Sequence, residues 1–163
     1  MDNLKKAAVA EVIVVIESMV SVAKEERQKA IEESRHHKGA MESRYDTFKE
    51  EAQYLMTAQD LRIRELSNTV SVLRAVLSKP IVQKEVIGTY ALVEIEDADD
   101  GALAIYLILP EGGGVSCSIG DRNVLTISVT SPLAQALIGL SNRSEVELSV
   151  GGSKKYFTIV SVS

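Results

Sequence analysis

The chain has 163 residues, enough for one ordinary domain or for two small ones. Residues 1–79 hold 13 basic and 13 acidic side chains, whereas residues 80–163 hold 5 basic and 10 acidic ones, which supplies the whole net charge of −5. Neither half has the basic excess of a protein that grips DNA or RNA, so we expect no direct sequence-specific nucleic-acid binding. The single cysteine, Cys117, excludes an internal disulfide and fits a reducing, cytoplasmic location.

The first twenty residues have a basic start and many apolar side chains, which is a pattern shared with targeting segments. Glu11 and Glu17 interrupt the apolar stretch, and the longest uninterrupted apolar run there is Val12 to Ile16. A membrane span needs about 18 such residues. We therefore expect no membrane partner and no cleaved leader.

Two long helices are predicted for the first half of the chain. No Pro or Gly occurs before Gly39, and apolar residues on either side of it recur in alternating steps of three and four, the spacing of a seam between packed helices. The seam positions are Val9, Ile13, Ile16, Val20, Ala23 and Ala30 in the first helix, and Tyr45, Phe48, Ala52, Met56, Ile63, Leu66, Val70, Leu73 and Leu77 in the second. The segment around Gly39 is a short reversal, so the helices form an antiparallel hairpin. Arg27 and Gln59 occupy seam positions, so the apolar seam between the two helices is weaker toward the tip of the hairpin.

The period changes to two after Pro80, which indicates strands. An acidic turn is expected at Glu94–Asp100, solvated and without the ligand spacing of a calcium loop. Ser131-Pro132 is typical of a helix start, with Ser as the cap and Pro in the first turn. The predicted strands are 87–95, 102–109, 115–119, 124–129, 145–150 and 156–162, with a helix at 131–140.

This pattern predicts an α+β chain with two domains. Residues 1–79 form the antiparallel coiled-coil hairpin, and residues 80–163 form a β-rich domain with one short helix. The wide apolar face of the first helix near Ile13 and Met19 is expected to lean on a neighbour, because a two-helix hairpin buries little surface by itself.

Part of this sequence resembles a known family. SVTSPLAQALIGL (Ser128 to Leu140), followed by the strands EVELSV and YFTIVSV, is similar to the C-terminal signature of the GreA/GreB transcript cleavage factors, which carry Ser-Pro-(Ile/Leu)-Ala-x-Ala-Leu-(Ile/Leu)-Gly between strands. RIREL at Arg62–Leu66 and the order of hairpin and β-rich domain are similar too. The resemblance implies an FKBP-like C-terminal domain.

The resemblance also implies a function and a partner. In this family the C-terminal domain docks on RNA polymerase, and the hairpin enters the polymerase's secondary channel. Two carboxylates at the hairpin tip then share a Mg²⁺ ion with the polymerase, which cleaves its own backtracked RNA. On this reading the chain is no enzyme itself and binds no cofactor alone. The expected docking residues lie in the signature segment: Ser131, Pro132, Leu133, Ala136, Leu137 and Gly139.

The tip departs from the family pattern. When AMESRYDT (Ala40 to Thr47) is laid over the family's tip, Ala40 and Ser43 occupy the two metal-linked acidic positions. Glu42 and Asp46 are four residues apart, so a helix would place them on one face, and they are the candidate catalytic carboxylates.

Two alternatives therefore stay open beside a cleavage factor. One is a channel-binding modulator or inhibitor of RNA polymerase that does not stimulate cleavage. The other is a coiled-coil interaction module with an unrelated partner, paired through the broad face of its first helix. A monomer is expected in the channel-entering case and a dimer in the last one.

Overall fold

The computed structural model describes residues 2–36, 42–78 and 86–163. Side chains are described over the same ranges, except those of residues 2, 33–36, 42–50, 52 and 150. The helices are α1 (Asp2–His36), α2 (Glu42–Ser78) and α3 (Pro132–Leu137). The strands are β1 (Leu92–Asp97), β2 (Leu103–Leu109), β3 (Ser116–Ile119), β4 (Arg122–Ser128), β5 (Glu145–Val150) and β6 (Ser153–Val162).

The two long helices agree with the predicted hairpin. Val9, Ile13, Ile16 and Ala23 are buried on α1, and Val70 and Leu73 are buried on α2. The predicted seam is confirmed at these positions, because a three-four spacing places them along one side of each helix.

Polar contacts cross between the helices where the seam has no apolar side chain. Arg27 Nε lies 2.6 Å from Asp60 Oδ1, and Arg27 Nη2 donates to Asp60 Oδ2 at 3.3 Å. One position away, Gln59 Nε2 donates to Glu26 Oε2 at 3.5 Å. An ion pair this exposed contributes on the order of 0–1 kcal/mol to stability.

The chain separates into two compact units. One contains residues 1–15 together with 72–163, and the other contains residues 16–71. The start of α1 and the last turns of α2 therefore pack with the β-rich part of the chain. This explains why Ala8, Val9, Val12 and Ile13 are all buried. The domain boundary predicted between residues 79 and 80 lies outside the described residues.

The six strands form a single sheet in the order β3-β4-β2-β1-β6-β5. Neighbouring strands are antiparallel except β2 and β4, which are parallel. The β1–β6 pairing carries a bulge between Glu94 and Ile95, where Val160 is the extra residue on β6. Alternate residues then face opposite sides of the sheet.

One sheet face packs against α3. Its core includes Val93, Ile95, Ile108 and Ile159, with Ala134 and Leu137 of α3 placed over them. The opposite face carries a second buried set along the middle of the sheet: Leu92, Ile105, Leu107, Cys117 and Val124. Glu11 of α1 lies close enough to act on the Cys117 thiol, so α1 approaches the sheet on this side.

The first predicted strand is wrong at both ends. It was expected to span Ile87–Ile95, but β1 begins at Leu92 and continues to Asp97. Tyr90 has φ +65°, a left-handed conformation that no regular strand accommodates. Ile87 instead donates its amide to the Leu140 carbonyl at 2.8 Å and accepts from the Gly139 amide at 2.9 Å.

The same contact shortens the predicted helix at 131–140. α3 ends at Leu137, and Gly139 has φ +90°, which directs its amide to Ile87 instead of into another helical turn.

The acidic segment is only partly a solvated turn. Glu94 and Asp97 belong to β1, and the side chain of Asp97 is just 11% exposed. Asp97 accepts hydrogen bonds from the Asp99 amide at 3.0 Å and from Lys155 Nζ at 3.1 Å. The hydrogen bond from the Asp99 amide, and then the one from Lys155, hold the pKa of Asp97 below its usual value. The Lys155–Asp97 hydrogen bond also raises the pKa of Lys155.

We predict that Asp97→Asn lowers the free energy of unfolding at neutral pH and flattens its decline in acid. A carboxyl with a depressed folded-state pKa stabilises the fold above its unfolded pKa of about 4, and this contribution is lost as the pH falls through the folded value. The urea midpoint measured from pH 7 to pH 2 should therefore fall less steeply in the variant than in wild type.

Asp121→Asn is the matched control, because Asp121 is exposed and makes no ion pair or hydrogen bond found in the described parts of the chain. If Asp97→Asn and Asp121→Asn give the same pH profile, then Asp97 is not the group that links acid to unfolding.

Candidate functional site

The segment singled out in the sequence forms α3 and its two ends. Ser131 is the N-cap, and its hydroxyl accepts a hydrogen bond from the Ala134 amide at 3.2 Å. Pro132 follows in the first turn, where its missing amide proton costs no hydrogen bond. The predicted local structure of this helix start is therefore confirmed.

The six predicted docking residues do not share one environment. Pro132 and Gly139 are exposed, and Ser131 is half-buried. Leu133 and Ala136 are partly buried against the core, and Leu137 is completely buried within it. Leu137 therefore stabilises the domain, whereas Ser131, Pro132 and Gly139 offer surface to a partner.

A groove of about 670 Å³ lies beside the start of α3. Its walls are the loop 110–114 on one side and Thr130 and Ser131 on the other, and Leu125 to Ser128 of β4 form its floor. Leu125 is substantially exposed there, and Glu111 supplies the only ionisable side chain in the lining. Its lining holds no acid–base pair of the kind that catalysis uses.

Thr126 holds the wall of this groove in place. Its fully buried hydroxyl accepts from the Val115 amide at 2.9 Å and donates to the Gly112 carbonyl at 3.1 Å. The Gly114 amide donates to the Thr126 carbonyl at 2.7 Å. The Thr126 amide also donates to the Val115 carbonyl at 2.8 Å, so four hydrogen bonds of Thr126 tie residues 112–115 to β4.

The loop lies close to β4 because Gly113 has no side chain. A Cβ atom at this position would come 2.8 Å from the Ser128 amide nitrogen and 3.3 Å from the Ile127 backbone. The glycine-rich loop therefore forms one wall of the groove.

The predicted tip carboxylates lie at the start of α2. Glu42 and Asp46 both fall within the helix, but their side chains lie outside the described residues. Among the described side chains, no group of three or more His, Cys, Asp or Glu residues is placed to hold a metal ion.

The remaining sequence candidate, Cys117, is a buried residue of β3. Burial raises the pKa of its thiol, and the negative charge of Glu11 raises it further. A thiol in this setting is a poor nucleophile. None of the described helices is long and apolar enough to span a membrane.

Comparison with known proteins identifies the fold of the sheet and α3. Residues 82–163 match the family model described as "Transcription elongation factor, GreA/GreB, C-term". The chain belongs to the GreA/GreB family. It is therefore a transcription elongation factor of the GreA/GreB type, as the signature segment around Ser131-Pro132 predicted.

Individual relatives extend beyond the C-terminal part. The chain is 29% identical to the transcription elongation factor GreA of Jannaschia sp. (strain CCS1) over 136 residues, which cover 83% of this chain and 80% of that one. Among solved structures, Gfh1 of Thermus aquaticus is 21% identical, with 90% of each chain covered and a TM-score of 0.38. A GreA/GreB factor from Nitrosomonas europaea is 20% identical, with 58% of this chain and 78% of that chain covered and a TM-score of 0.37.

We predict that Gly113→Ala destabilises the C-terminal domain by about 1–3 kcal/mol, the usual cost of forcing extra atoms into a filled space. The added methyl group collides with the backbone of β4, which cannot move aside as a flexible side chain would. Urea unfolding followed by circular dichroism measures the loss.

Gly88→Ala is the matched control, because a Cβ there meets no atom within 4 Å and Gly88 has no left-handed φ. It should be neutral or slightly stabilising, by up to about 1 kcal/mol. Equal effects of the two substitutions would contradict the close approach of the loop to β4.

Proposed function

We propose that this chain binds RNA polymerase through its C-terminal domain and inserts the tip of its α1–α2 hairpin into the polymerase's secondary channel. The observation that carries the proposal is the GreA/GreB match over residues 82–163, on a chain that also has helices of 35 and 37 residues. At 1.5 Å per residue such helices are about 50 Å long, a reach suited to a deep channel. The factor would act on the polymerase's own active site, in the cytoplasm, without being an enzyme itself.

The hairpin must keep its shape to deliver a tip group accurately. The Arg27–Asp60 ion pair and the Gln59–Glu26 hydrogen bond join the helices where apolar seam residues are missing. The two contacts join neighbouring residues of α1, Glu26 and Arg27, to neighbouring residues of α2, Gln59 and Asp60. A fixed register supports accurate placement of the residues at the start of α2.

Glu42 and Asp46 are the residues that we propose to act at the tip. Mg²⁺ prefers oxygen ligands and keeps several waters, so a carboxylate from the factor can complete a site that the polymerase begins. A second Mg²⁺ held in this way would orient a water molecule for hydrolysis of the backtracked RNA. The ion would be shared with the polymerase, and the chain alone would bind no cofactor.

A non-cleaving modulator is the second candidate, and the tip sequence favours it. Ala40 and Ser43 occupy the positions at which the family carries its metal-linked acids. Arg35, Lys38 and Arg44 also add positive charge near the tip, and like charge opposes a bound cation. A factor with this tip would enter the channel and slow nucleotide addition without promoting cleavage.

We propose that docking uses the exposed part of the signature segment. Ser131, Pro132 and Gly139 present surface at the two ends of α3, and the groove with Leu125 in its floor lies beside the first of them. A monomer is proposed as the active form. It is supported by the burial of Val12 and Ile13, which removes part of the apolar α1 face from a dimer interface.

The decisive test is RNA release from a defined backtracked elongation complex, with polymerase from the same organism and Mg²⁺ present. We predict that wild type releases short 3′ fragments and that Glu42→Ala/Asp46→Ala slows release by at least tenfold, because the shared Mg²⁺ loses its carboxylates. Glu25→Ala/Glu65→Ala is the control: it removes two exposed carboxylates from the hairpin away from the tip and should cleave like wild type.

The same assay separates the alternatives. Binding to polymerase with slower nucleotide addition, and no cleavage by wild type, would establish the channel-binding modulator. Absence of any binding to polymerase would refute the proposed function and leave an interaction module with another partner.

A further inference from the structure

Four polar residues interrupt the apolar seam between α1 and α2. They are Glu26 and Arg27 on α1 and Gln59 and Asp60 on α2, and all four lie within the compact unit of residues 16–71. Arg27 pairs with Asp60 at 2.6 Å, and Gln59 donates a hydrogen bond to Glu26 at 3.5 Å. We call these four residues the polar layer. Each polar seam residue therefore has its partner on the opposite helix.

The hydrogen-bonding groups of the polar layer are only partly satisfied. Arg27 Nε and Gln59 Oε1 are buried, yet neither makes a hydrogen bond with any described group. Arg27 Nε lies close to Asp60 Oδ1 without the alignment that a hydrogen bond needs, and the two charged side chains are 37% and 42% exposed. A buried polar atom without a partner is destabilising, and an ion pair this exposed offsets little of that loss. Apolar side chains at the same seam positions would stabilise the hairpin more.

Apolar packing alone leaves the alignment of the two helices ambiguous. One helical turn to either side of the polar layer, the seam positions are all apolar: Ala23, Ala30, Met56 and Ile63. Because seam positions recur at every turn, sliding one helix past the other by a turn brings apolar residues against apolar residues again. Such a slip displaces one helix along the other by about 5.4 Å.

The polar layer distinguishes the observed alignment from the slipped ones. In the observed alignment Arg27 and Gln59 fall at the same level of the hairpin, so each has a polar neighbour across the seam. After a slip of one turn, Arg27 would face Met56 or Ile63. The Arg27–Asp60 ion pair would be lost, and Gln59 would face an alanine. A guanidinium group against apolar side chains loses both hydration and its counter-charge, so the slipped alignments are disfavoured relative to the observed one.

We propose that the polar layer positions the hairpin: it selects one alignment of α1 against α2 and lowers the stability of the hairpin in doing so. Single polar residues in the seams of coiled coils act in this way, since they specify register while weakening the association. The alignment determines where the start of α2 lies relative to α1. Its importance for delivering Glu42 and Asp46 rests on the proposed function, whereas the selection of the alignment does not.

The test measures the alignment in the full-length chain without polymerase. Spin labels are attached through Ser21→Cys/Gln53→Cys, at two exposed positions, in a Cys117→Ala background. Double electron–electron resonance then gives the distance between the labels. Ser21 lies six residues from Arg27 toward the base of the hairpin, and Gln53 lies seven residues from Asp60 toward its tip. A slip along the helix axis therefore changes the separation of the labels. With the native polar layer we expect one narrow distance distribution.

Arg27→Leu/Gln59→Leu makes this part of the seam apolar throughout. We expect it to raise the urea midpoint, because two apolar side chains replace incompletely paired polar ones. We also expect a second population of label distances, displaced from the first by about 5 Å or less, because the slipped alignments are no longer disfavoured. Higher stability together with a less uniform alignment is a result that a merely stabilising contact would not give.

Gln28→Leu/Arg64→Leu is the matched control, since it exchanges the same two residue types for Leu at exposed positions away from the seam. It should keep the single narrow distribution. An unchanged single distribution in Arg27→Leu/Gln59→Leu would overturn the proposal, because apolar packing would then be sufficient to set the alignment. A lower urea midpoint in that variant would overturn it as well, since the polar layer would then be a stabilising contact. Neither result depends on whether the chain binds polymerase, so this proposal and the proposed function can fail separately.

Discussion

Burial of the sheet on both of its faces is the constraint on which the rest of the structure depends. α3 covers one face, where Ala134 and Leu137 pack over Ile95 and Ile108, and the start of α1 packs with the same unit that contains the other face. Within that unit the start of α1 is buried through residues such as Val9 and Val12.

The elements that depend on local sequence were the ones that could be predicted. The helices follow from the absence of Pro and Gly and from regular apolar spacing, and the start of α3 follows from Ser131-Pro132. The start of β1 and the end of α3 were wrong because both depend on hydrogen bonds between Ile87 and residues 139 and 140, more than fifty positions away. The Lys155–Asp97 hydrogen bond spans 58 positions, so the sequence could not show that this acidic turn contains a nearly buried carboxylate.

The candidate site was predictable as a segment but not as a surface. The Ser131–Gly139 signature located α3 and the family, yet only packing shows that Leu137 belongs to the core while Pro132 faces solvent. The groove beside it depends on Gly113 lying against Ser128, fifteen residues further along the chain, and on the paired hydrogen bonds of Thr126. Neither contact leaves a pattern in the sequence, because a Gly-rich loop has the same composition whether it is exposed or packed.

The sheet places the acidic side chains of the C-terminal half in different surroundings. The negative charge of Asp97 is balanced within the fold by Lys155, and its carboxylate also accepts a hydrogen bond from the Asp99 amide. Glu96, its neighbour in β1, alternates to the opposite face and lies beside Leu103, where no described cation meets it. Two adjacent carboxylates in one strand thus have different surroundings, since the two-residue period of the strand directs Asp97 toward Lys155 and leaves Glu96 exposed.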